Sequence, residues 1–179
     1  MNEPPLLDAT RIRSLLIELG ARLSARDIEA RLFLVGGAAM ALAYHRERVT
    51  RDLDAVFEPK SEIYAEAALM AAEHGLPDGW LNDAVKALLP DRSTPVEGAG
   101  TFSADGIHVG VASAEYLFAM KAQAARIETD GDDLRTLAAH LGLRSSAEAL
   151  PLLDRYYSPE RLRPVTRLLL EAILDGPDD

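Results

Sequence analysis

The sequence of 179 residues contains no cysteine. This absence excludes a disulfide framework, a thiolate metal site and a cysteine nucleophile. No run of apolar residues approaches the roughly 20 that a helix needs to cross a bilayer. The first ten residues, MNEPPLLDAT, are acidic and lack the basic and then apolar order of a signal peptide. We therefore expect a cytoplasmic protein that makes no contact with a membrane.

Positive charge is scarce, because 19 Lys and Arg stand against 29 Asp and Glu and the net charge is −10. Broad, sequence-independent binding to nucleic acid depends on neutralising many phosphates, so the charge argues against that class of function. A local basic patch around one site remains compatible with this charge. Hydrophobic residues make up 48% of the chain, which is enough to bury a core.

Hydrophobic periodicity divides the chain into a mixed N-terminal half and a helical C-terminal half. Strands are predicted at 31–35 and 51–57, and a hairpin at 100–112 with its turn at Asp105-Gly106. Helices are predicted at 10–24, 38–46, 61–75, just before Pro90, 114–128, 131–142, 145–157 and 161–174, with Ser61 and Ser145 as caps and a loop at 91–100. The fold class is α/β (α+β), a small mixed sheet flanked by helices. Residues 1–112 form its core, and residues 113–179 form a helical annex packed on that core.

Two aspartates stand inside the predicted strand of the segment RVTRDLDAVF, residues 48–57. Side chains at i and i+2 of a strand point the same way, so Asp52 and Asp54 share a face, about 7 Å apart at their Cα atoms. Two carboxylates at that spacing repel, and burial raises the cost. A divalent cation between them reverses the sign of the interaction, and Mg²⁺ prefers carboxylate oxygens and substrate phosphates. The pair predicts a Mg²⁺ site; the alternative is an edge strand with both acids in water.

A glycine pair, Gly36-Gly37, ends the first strand and opens a helix. This arrangement presents backbone N–H groups to an anion, although an ordinary strand-to-helix turn uses glycine as well. Thr50 adds a hydroxyl near the aspartates that could hold a phosphate oxygen. We predict that this group of residues binds the phosphates of a nucleotide.

Lys121 stands within an apolar stripe of the helix that begins near residue 114. A lysine on the core side of a helix needs an anion partner or access to a cleft, and a triphosphate would serve. The alternative is a snorkelling side chain whose amine reaches water. Asp133, near the start of the next helix, is a second candidate, although acids there also favour the helix dipole without further function.

The stretch LVGGAAMALAYHRERVTRDLDAVF resembles the signature of the DNA-polymerase-β-like nucleotidyltransferases, and within them the AbiEii/MenT toxin-like group. Its pattern is Gly-Gly, then Arg-x-Ser/Thr-x-Asp-Ile/Leu-Asp, then a downstream Lys and Asp. The motif covers about 25 residues, and the general order of elements covers most of the chain. The likeness implies metal binding at Asp52 and Asp54 and catalytic roles for these residues with Lys121 and Asp133. It further implies nucleotide binding at Gly36, Gly37, Thr50, Arg51 and Lys121.

The resemblance implies an enzyme that moves NMP from an NTP to an acceptor hydroxyl with Mg²⁺. For MenT-like members the acceptor is the tRNA 3′ end, which makes the enzyme a toxin of a toxin–antitoxin system with a cognate antitoxin as partner. Other branches adenylylate proteins, and the net charge favours that alternative. A third alternative is a nucleotide-binding module without activity. Many superfamily members carry a third carboxylate on a later strand, where GIHVGVA offers only His108 or Gly110.

His45, Arg46, Arg48 and Arg51 flank the motif and make a local positive edge in an otherwise acidic chain. They could contact RNA or the triphosphate. The alternative is solvated charge at a helix end.

Overall fold

The computed structural model describes residues 5–45, 47–92 and 97–176. These residues form two compact units. The first unit contains Met1–Lys86 and Glu97–Ala112, and the second contains Ala87–Val96 and Ser113–Asp179. None of the helices in the described ranges is long and apolar enough to span a membrane.

The first unit is a five-stranded mixed sheet with helices. Its elements are α1 (Ala9–Ser24), β1 (Ala30–Leu34), α2 (Gly36–Ala39), a π-helix (Met40–Tyr44), β2 (Leu53–Glu58), α3 (Lys60–His74), β3 (Leu81–Asn82), β4 (Glu97–Ala104) and β5 (Ile107–Ala112). A 3₁₀-helix (Ala84–Leu88) begins in this unit and ends in the second. The strand order is β3-β2-β1-β5-β4. β1 pairs antiparallel with β2 and parallel with β5, β3 is parallel to β2, and β4 is antiparallel to β5.

One face of this sheet forms the core with α1 and α3. All five leucine and isoleucine positions that predicted α1 are buried, namely Ile12, Leu15, Leu16, Leu19 and Leu23. On β2 the alternation is also confirmed, because Leu53, Ala55 and Phe57 are buried while Asp54 and Val56 are half-buried. The period-two pattern thus separates a core face from the face that carries Asp54.

Several predicted boundaries in the first unit are wrong. β2 begins at Leu53, so Arg51 and Asp52 lie in a bend before the strand. Ser61 is not a cap, because α3 begins at Lys60 with Pro59 as its N-cap. The predicted loop at 91–100 contains the first residues of β4, since residues 97–100 pair as strand. Residues 93–96 of that loop, like Arg46 of the predicted positive edge, lie outside the described residues.

The second unit is helical, as expected for the C-terminal part of the fold. Its helices are α4 (Ala114–Ala124), α5 (Ile127–Leu141), α6 (Ser146–Tyr156) and α7 (Pro164–Leu174). α4 contacts the other three helices and is buried along most of its length. The segment 87–92 belongs to this unit, because Arg92 N donates to Tyr156 O at 3.0 Å and Ser158 N donates to Asp91 Oδ1 at 3.0 Å.

The ends of the C-terminal helices agree with the prediction only in part. The predicted helix at 114–128 ends at Ala124, because Ala125 adopts a left-handed conformation at φ 53°, and α5 starts at Ile127 rather than 131. The predicted cap Ser145 is confirmed, since its side chain accepts a hydrogen bond from Glu148 N. Glu148 Oε2 in turn accepts from Arg144 N at 2.7 Å, which satisfies a second donor at this helix start.

Candidate functional site

The turn after β1 brings Gly36 against Asp54. Gly36 has φ +59°, a left-handed conformation that side chains rarely adopt. A Cβ at this position would lie 2.9 Å from Asp54 Oδ2. Val35 N donates to Asp54 O at 3.0 Å, so the residue before Gly36 is joined to the backbone of Asp54. The positive φ therefore favours glycine here, and a side chain would also have to displace the Asp54 carboxylate, which lies directly over the turn.

Gly37 packs in the same way against Thr50. A Cβ on Gly37 would lie 2.7 Å from Thr50 Oγ1 and 3.0 Å from Thr50 Cβ. Thr50 is anchored to Leu7 by two backbone hydrogen bonds, Leu7 N to Thr50 O at 2.8 Å and Thr50 N to Leu7 O at 3.0 Å. Leu7 is fully buried. The threonine that approaches the glycine turn is thus held by the core of the first unit.

Thr50 also organises the bend that carries Asp52. Its Oγ1 donates to the backbone oxygen of Asp52 at 3.0 Å. Asp52 is exposed and Asp54 is half-buried. Because Asp52 precedes the strand, the pleat does not fix its direction, and the shared face of the two aspartates remains a prediction. Four of the predicted residues, Gly36, Gly37, Thr50 and Asp54, are brought together.

The donor set around the turn fits Mg²⁺ in composition. Mg²⁺ commonly takes one or two carboxylates and completes its shell with water and substrate phosphate oxygens. Asp54 supplies a half-buried carboxylate beside the turn, and Asp52 supplies an exposed one two residues before it. On β5 the positions that alternate with the buried Ile107 and Val109 are His108 and Gly110, so this strand adds no acid. The two-carboxylate site formed by Asp52 and Asp54 stays a prediction.

The helix that follows the glycine turn is irregular. α2 is one turn long and continues as a π-helix over Met40–Tyr44. Tyr44 Oη donates to Ala112 O at 3.0 Å, which ties the end of this helix to the end of β5. π-helical turns are rare and occur frequently at functional sites. The first N–H groups of α2, at Gly36 to Ala38, have no partner within the helix by geometry.

Of the predicted basic edge, His45 and Arg51 are exposed and Arg48 is half-buried. Arg48 Nη1 donates to the neighbouring Val49 O at 3.1 Å, so part of this guanidinium serves the loop itself. Arg51 lies in the bend between Thr50 and Asp52, next to the threonine that contacts the glycine turn.

Lys121 and Asp133 form a buried ion-pair cluster in the second unit. Lys121 Nζ lies 2.7 Å from Asp130 Oδ1 and 2.8 Å from Asp133 Oδ2. The three side chains, in the order Lys121, Asp130 and Asp133, are 8%, 13% and 5% exposed. Asp130 and Asp133 thus provide, within this unit, the anion partner that we expected Lys121 to need. No role was predicted for Asp130, although it also forms an ion pair with Lys121. Residues three apart lie on the same side of a helix, so the spacing of Asp130 and Asp133 could have indicated that both contact the same partner.

A second group of titratable residues, Glu18, Glu73 and His74, joins α1 and α3. One ligand atom from each lies within 4.8 Å of the others. Arg22 occupies the centre, with Nη2 2.6 Å from Glu18 Oε1 and further hydrogen bonds to Glu73, while His74 Nε2 lies 2.9 Å from Glu18 Oε2. The hydrogen bond from His74, followed by that from Arg22, lowers the pKa of Glu18. The group is an ion-pair network whose cation is Arg22.

Comparison with known proteins gives no match to a family model, to a curated protein or to a solved structure.

Proposed function

We propose that the first unit is a Mg²⁺-dependent nucleotidyltransferase that moves NMP from an NTP to an acceptor hydroxyl. The observation that carries this proposal is the packing of the two glycines, one against the Asp54 carboxylate and the other against the Thr50 hydroxyl. A bare backbone turn, a carboxylate and a hydroxyl within contact distance are the groups that triphosphate and Mg²⁺ require.

Each residue has a distinct part in this proposal. The backbone of Gly36 and Gly37 and the side chains of Thr50 and Arg51 hold triphosphate oxygens, while Asp52 and Asp54 hold the metal. A bound Mg²⁺ would neutralise charge that develops on the transferring phosphate. The acceptor oxygen bonds to the α-phosphorus as the bond to the bridging oxygen breaks, and pyrophosphate leaves. Asp52, the exposed carboxylate, accepts the proton of the acceptor hydroxyl.

The resemblance also assigns Lys121 to phosphate binding and Asp133 to catalysis. In the second unit both belong to the cluster with Asp130, where the lysine is already neutralised by carboxylates. The geometry of the glycine turn supports the proposal without them.

Two acceptors follow from the sequence. The tRNA 3′ end is the acceptor implied by the resemblance to MenT-like toxins. A protein hydroxyl is the second candidate, because a net charge of −10 disfavours a large phosphate-binding surface. If tRNA is the acceptor, the chain is a toxin and a cognate antitoxin is expected as its partner. If a protein hydroxyl is the acceptor, the chain is itself an adenylylating enzyme or antitoxin.

The test is incubation of the purified protein with Mg²⁺ and each α-³²P-labelled NTP in turn, with total tRNA and with cell lysate. Label is followed on RNA and protein gels. Label on tRNA identifies an RNA-directed transferase and its nucleotide, and label on a protein band identifies the second candidate. The absence of label on either, with all four nucleotides, contradicts catalysis and leaves a nucleotide-binding module.

A further inference from the structure

A cavity of about 660 Å³ lies on the sheet of the first unit. This volume falls within the range of small-molecule sites, about 300–1,000 Å³. Its lining includes Phe33 and Val56, which alternate with the buried core residues of β1 and β2 and so point to the face away from α1 and α3. The cavity therefore shares the face of the sheet that carries Asp54.

Three cross-strand pairs build this cavity. Phe33 and Val56 lie opposite each other in the β1–β2 register and provide an apolar floor. Arg31 and Glu58 form the next pair on the same face. Ser103 and His108 are paired across β4 and β5, with Ser103 Oγ 2.8 Å from His108 Nδ1.

The polar pairs offer both donors and acceptors above the apolar floor. Arg31 donates only, Glu58 accepts when ionised, and the serine hydroxyl can do either. Although Arg31 and Glu58 are opposite each other, neither makes an ion pair or a side-chain hydrogen bond with any residue in the described ranges. Their polar atoms are thus available to a ligand.

The charges of the lining select the kind of ligand. Glu29 and Glu58 both border the cavity and would repel a phosphate, and Arg31 alone does not outweigh them. A flat, uncharged heteroaromatic ring with donors and acceptors on its edge matches the apolar floor and the mixed polar groups. Proteins bind unstacked bases in this way, by aromatic contact and by hydrogen bonds to base edges.

We propose that this cavity binds a nucleobase. The base belongs either to the NTP or to the end of a nucleic-acid acceptor, and this link to the reaction rests on the proposed function. The position supports it, because Val56 follows Asp54 by two residues on the same face of β2, about 7 Å away at the Cα atoms. A nucleoside whose phosphate or hydroxyl reacts beside Asp54 can therefore reach the cavity with its base.

Binding is tested with the full chain, labelled at the valine and isoleucine methyl groups, by NMR titration. The probes are adenosine, guanosine, cytidine and uridine at millimolar concentration, without metal or triphosphate. At least one nucleoside is expected to shift the methyl signals of Val56, which borders the cavity, while Val165 of α7 stays unchanged. No shift at Val56 with any of the four overturns the proposal.

Two variants localise the effect. Arg31→Ala removes a polar group and Val56→Arg fills the cavity, and each is expected to weaken nucleoside binding about tenfold. Arg11→Ala is the matched control, because Arg11 is an exposed arginine on α1 and does not border the cavity. A thermal melt verifies that each variant is folded, and undiminished binding in both folded variants contradicts the assignment to this cavity.

The source of the base follows from steady-state kinetics of the same variants. A higher KM for the NTP alone identifies the base as that of the nucleotide, and a higher KM for the acceptor alone identifies the acceptor end. Unchanged KM values for both, in variants that bind nucleoside weakly, overturn the link to Asp54. If the wild-type protein transfers no label yet nucleosides shift Val56, the proposed function fails and the cavity assignment stands.

Discussion

At the scale of single residues, the glycine turn is the most constrained point of the first unit. Gly36 has a left-handed backbone conformation and also lies in close contact with the carboxylate of Asp54. Gly75, at the end of α3, has φ +64°, and a Cβ there would meet no atom within 4 Å. The two glycines therefore separate the cost of conformation from the cost of space. This difference makes them a matched pair for substitution.

Gly36→Ala is expected to lower the free energy of unfolding more than Gly75→Ala. Both substitutions bear the left-handed penalty of roughly 1–2 kcal/mol. Only Gly36→Ala must also displace Asp54, which we expect to cost about 1–3 kcal/mol more. Urea unfolding of both variants measures the difference, and equal losses would mean that Asp54 does not press on the turn.

The buried ion pairs of Lys121 lead to a second prediction, on the stability of the second unit. Lys121→Met leaves Asp130 and Asp133 buried, three residues apart on α5, without their cation. Removal of one partner from a buried ion pair typically costs about 3–5 kcal/mol. The exposed pair Arg135–Asp132 on the same helix provides the control, and Arg135→Met should change stability by less than about 1 kcal/mol. Urea denaturation of the two variants tests this, and a small effect at Lys121 would contradict the buried cluster.

At the scale of elements, α1 and α3 are joined by the network of Glu18, Arg22, Glu73 and His74. The pKa of Glu18 is lowered in the folded state, first by the hydrogen bond from His74 and then by Arg22. A carboxyl whose pKa is depressed by folding stabilises the native state at pH values above its unfolded pKa, about 4.3, and loses this contribution as the pH falls below it.

Glu18→Gln should therefore destabilise the protein at pH 7 and have a smaller effect at pH 3. The comparison is made by urea unfolding at both values, with Glu160→Gln, an exposed residue, as control. A destabilisation by Glu18→Gln that is equal at the two pH values would show that the charge of Glu18 does not support the contact between α1 and α3.

The elements also show what sequence patterns can predict. Apolar periodicity predicted α1 and β2, because burial of one face determines where their apolar residues stand. A short apolar run predicted β1, and the Asp105-Gly106 turn predicted the hairpin that contains β5. The two residues of β3 and the π-helix after Gly37 carry no such pattern. Ala125 has a positive φ, and no local signal indicates a helix end there, because alanine favours helix.

The candidate site was predictable in part for the same reason. The glycine pair, Thr50 and Asp54 were found because turn chemistry and strand alternation are local. Asp52 was placed on the strand because the alternation of RDLDAVF extends past its true start at Leu53. The anchoring of Thr50 by Leu7 and the cavity on the sheet depend on residues distant in sequence, so no local pattern indicates them.

At the scale of the whole molecule, the net charge of −10 limits how a nucleic-acid acceptor can be held. Arg48 and Arg51 flank Thr50, and the excess of Asp and Glu over Lys and Arg in the chain as a whole disfavours a large number of further phosphate contacts. Each phosphate neutralised adds about 0.9 to the slope of log binding constant against log salt for duplex nucleic acid, and about 0.7 for single strands.

If tRNA is the acceptor, its KM should depend only weakly on salt, with a logarithmic slope of roughly 1–3. A salt titration of the initial transfer rate at low tRNA concentration measures this slope. A steep dependence would indicate a larger basic surface than the charge of the chain suggests.

The central claim is that Asp54, beside the glycine turn, and Asp52, just before β2, support nucleotidyl transfer, and one measurement tests it most directly. Initial rates of transfer from α-³²P-labelled NTP are compared for the wild type, Asp52→Asn, Asp54→Asn and the control Asp78→Asn, an exposed residue of another turn. Loss of a carboxylate that holds the metal should lower the rate by about two orders of magnitude or more, with the fold retained and the control unchanged. Transfer at the wild-type rate by Asp54→Asn would contradict the account.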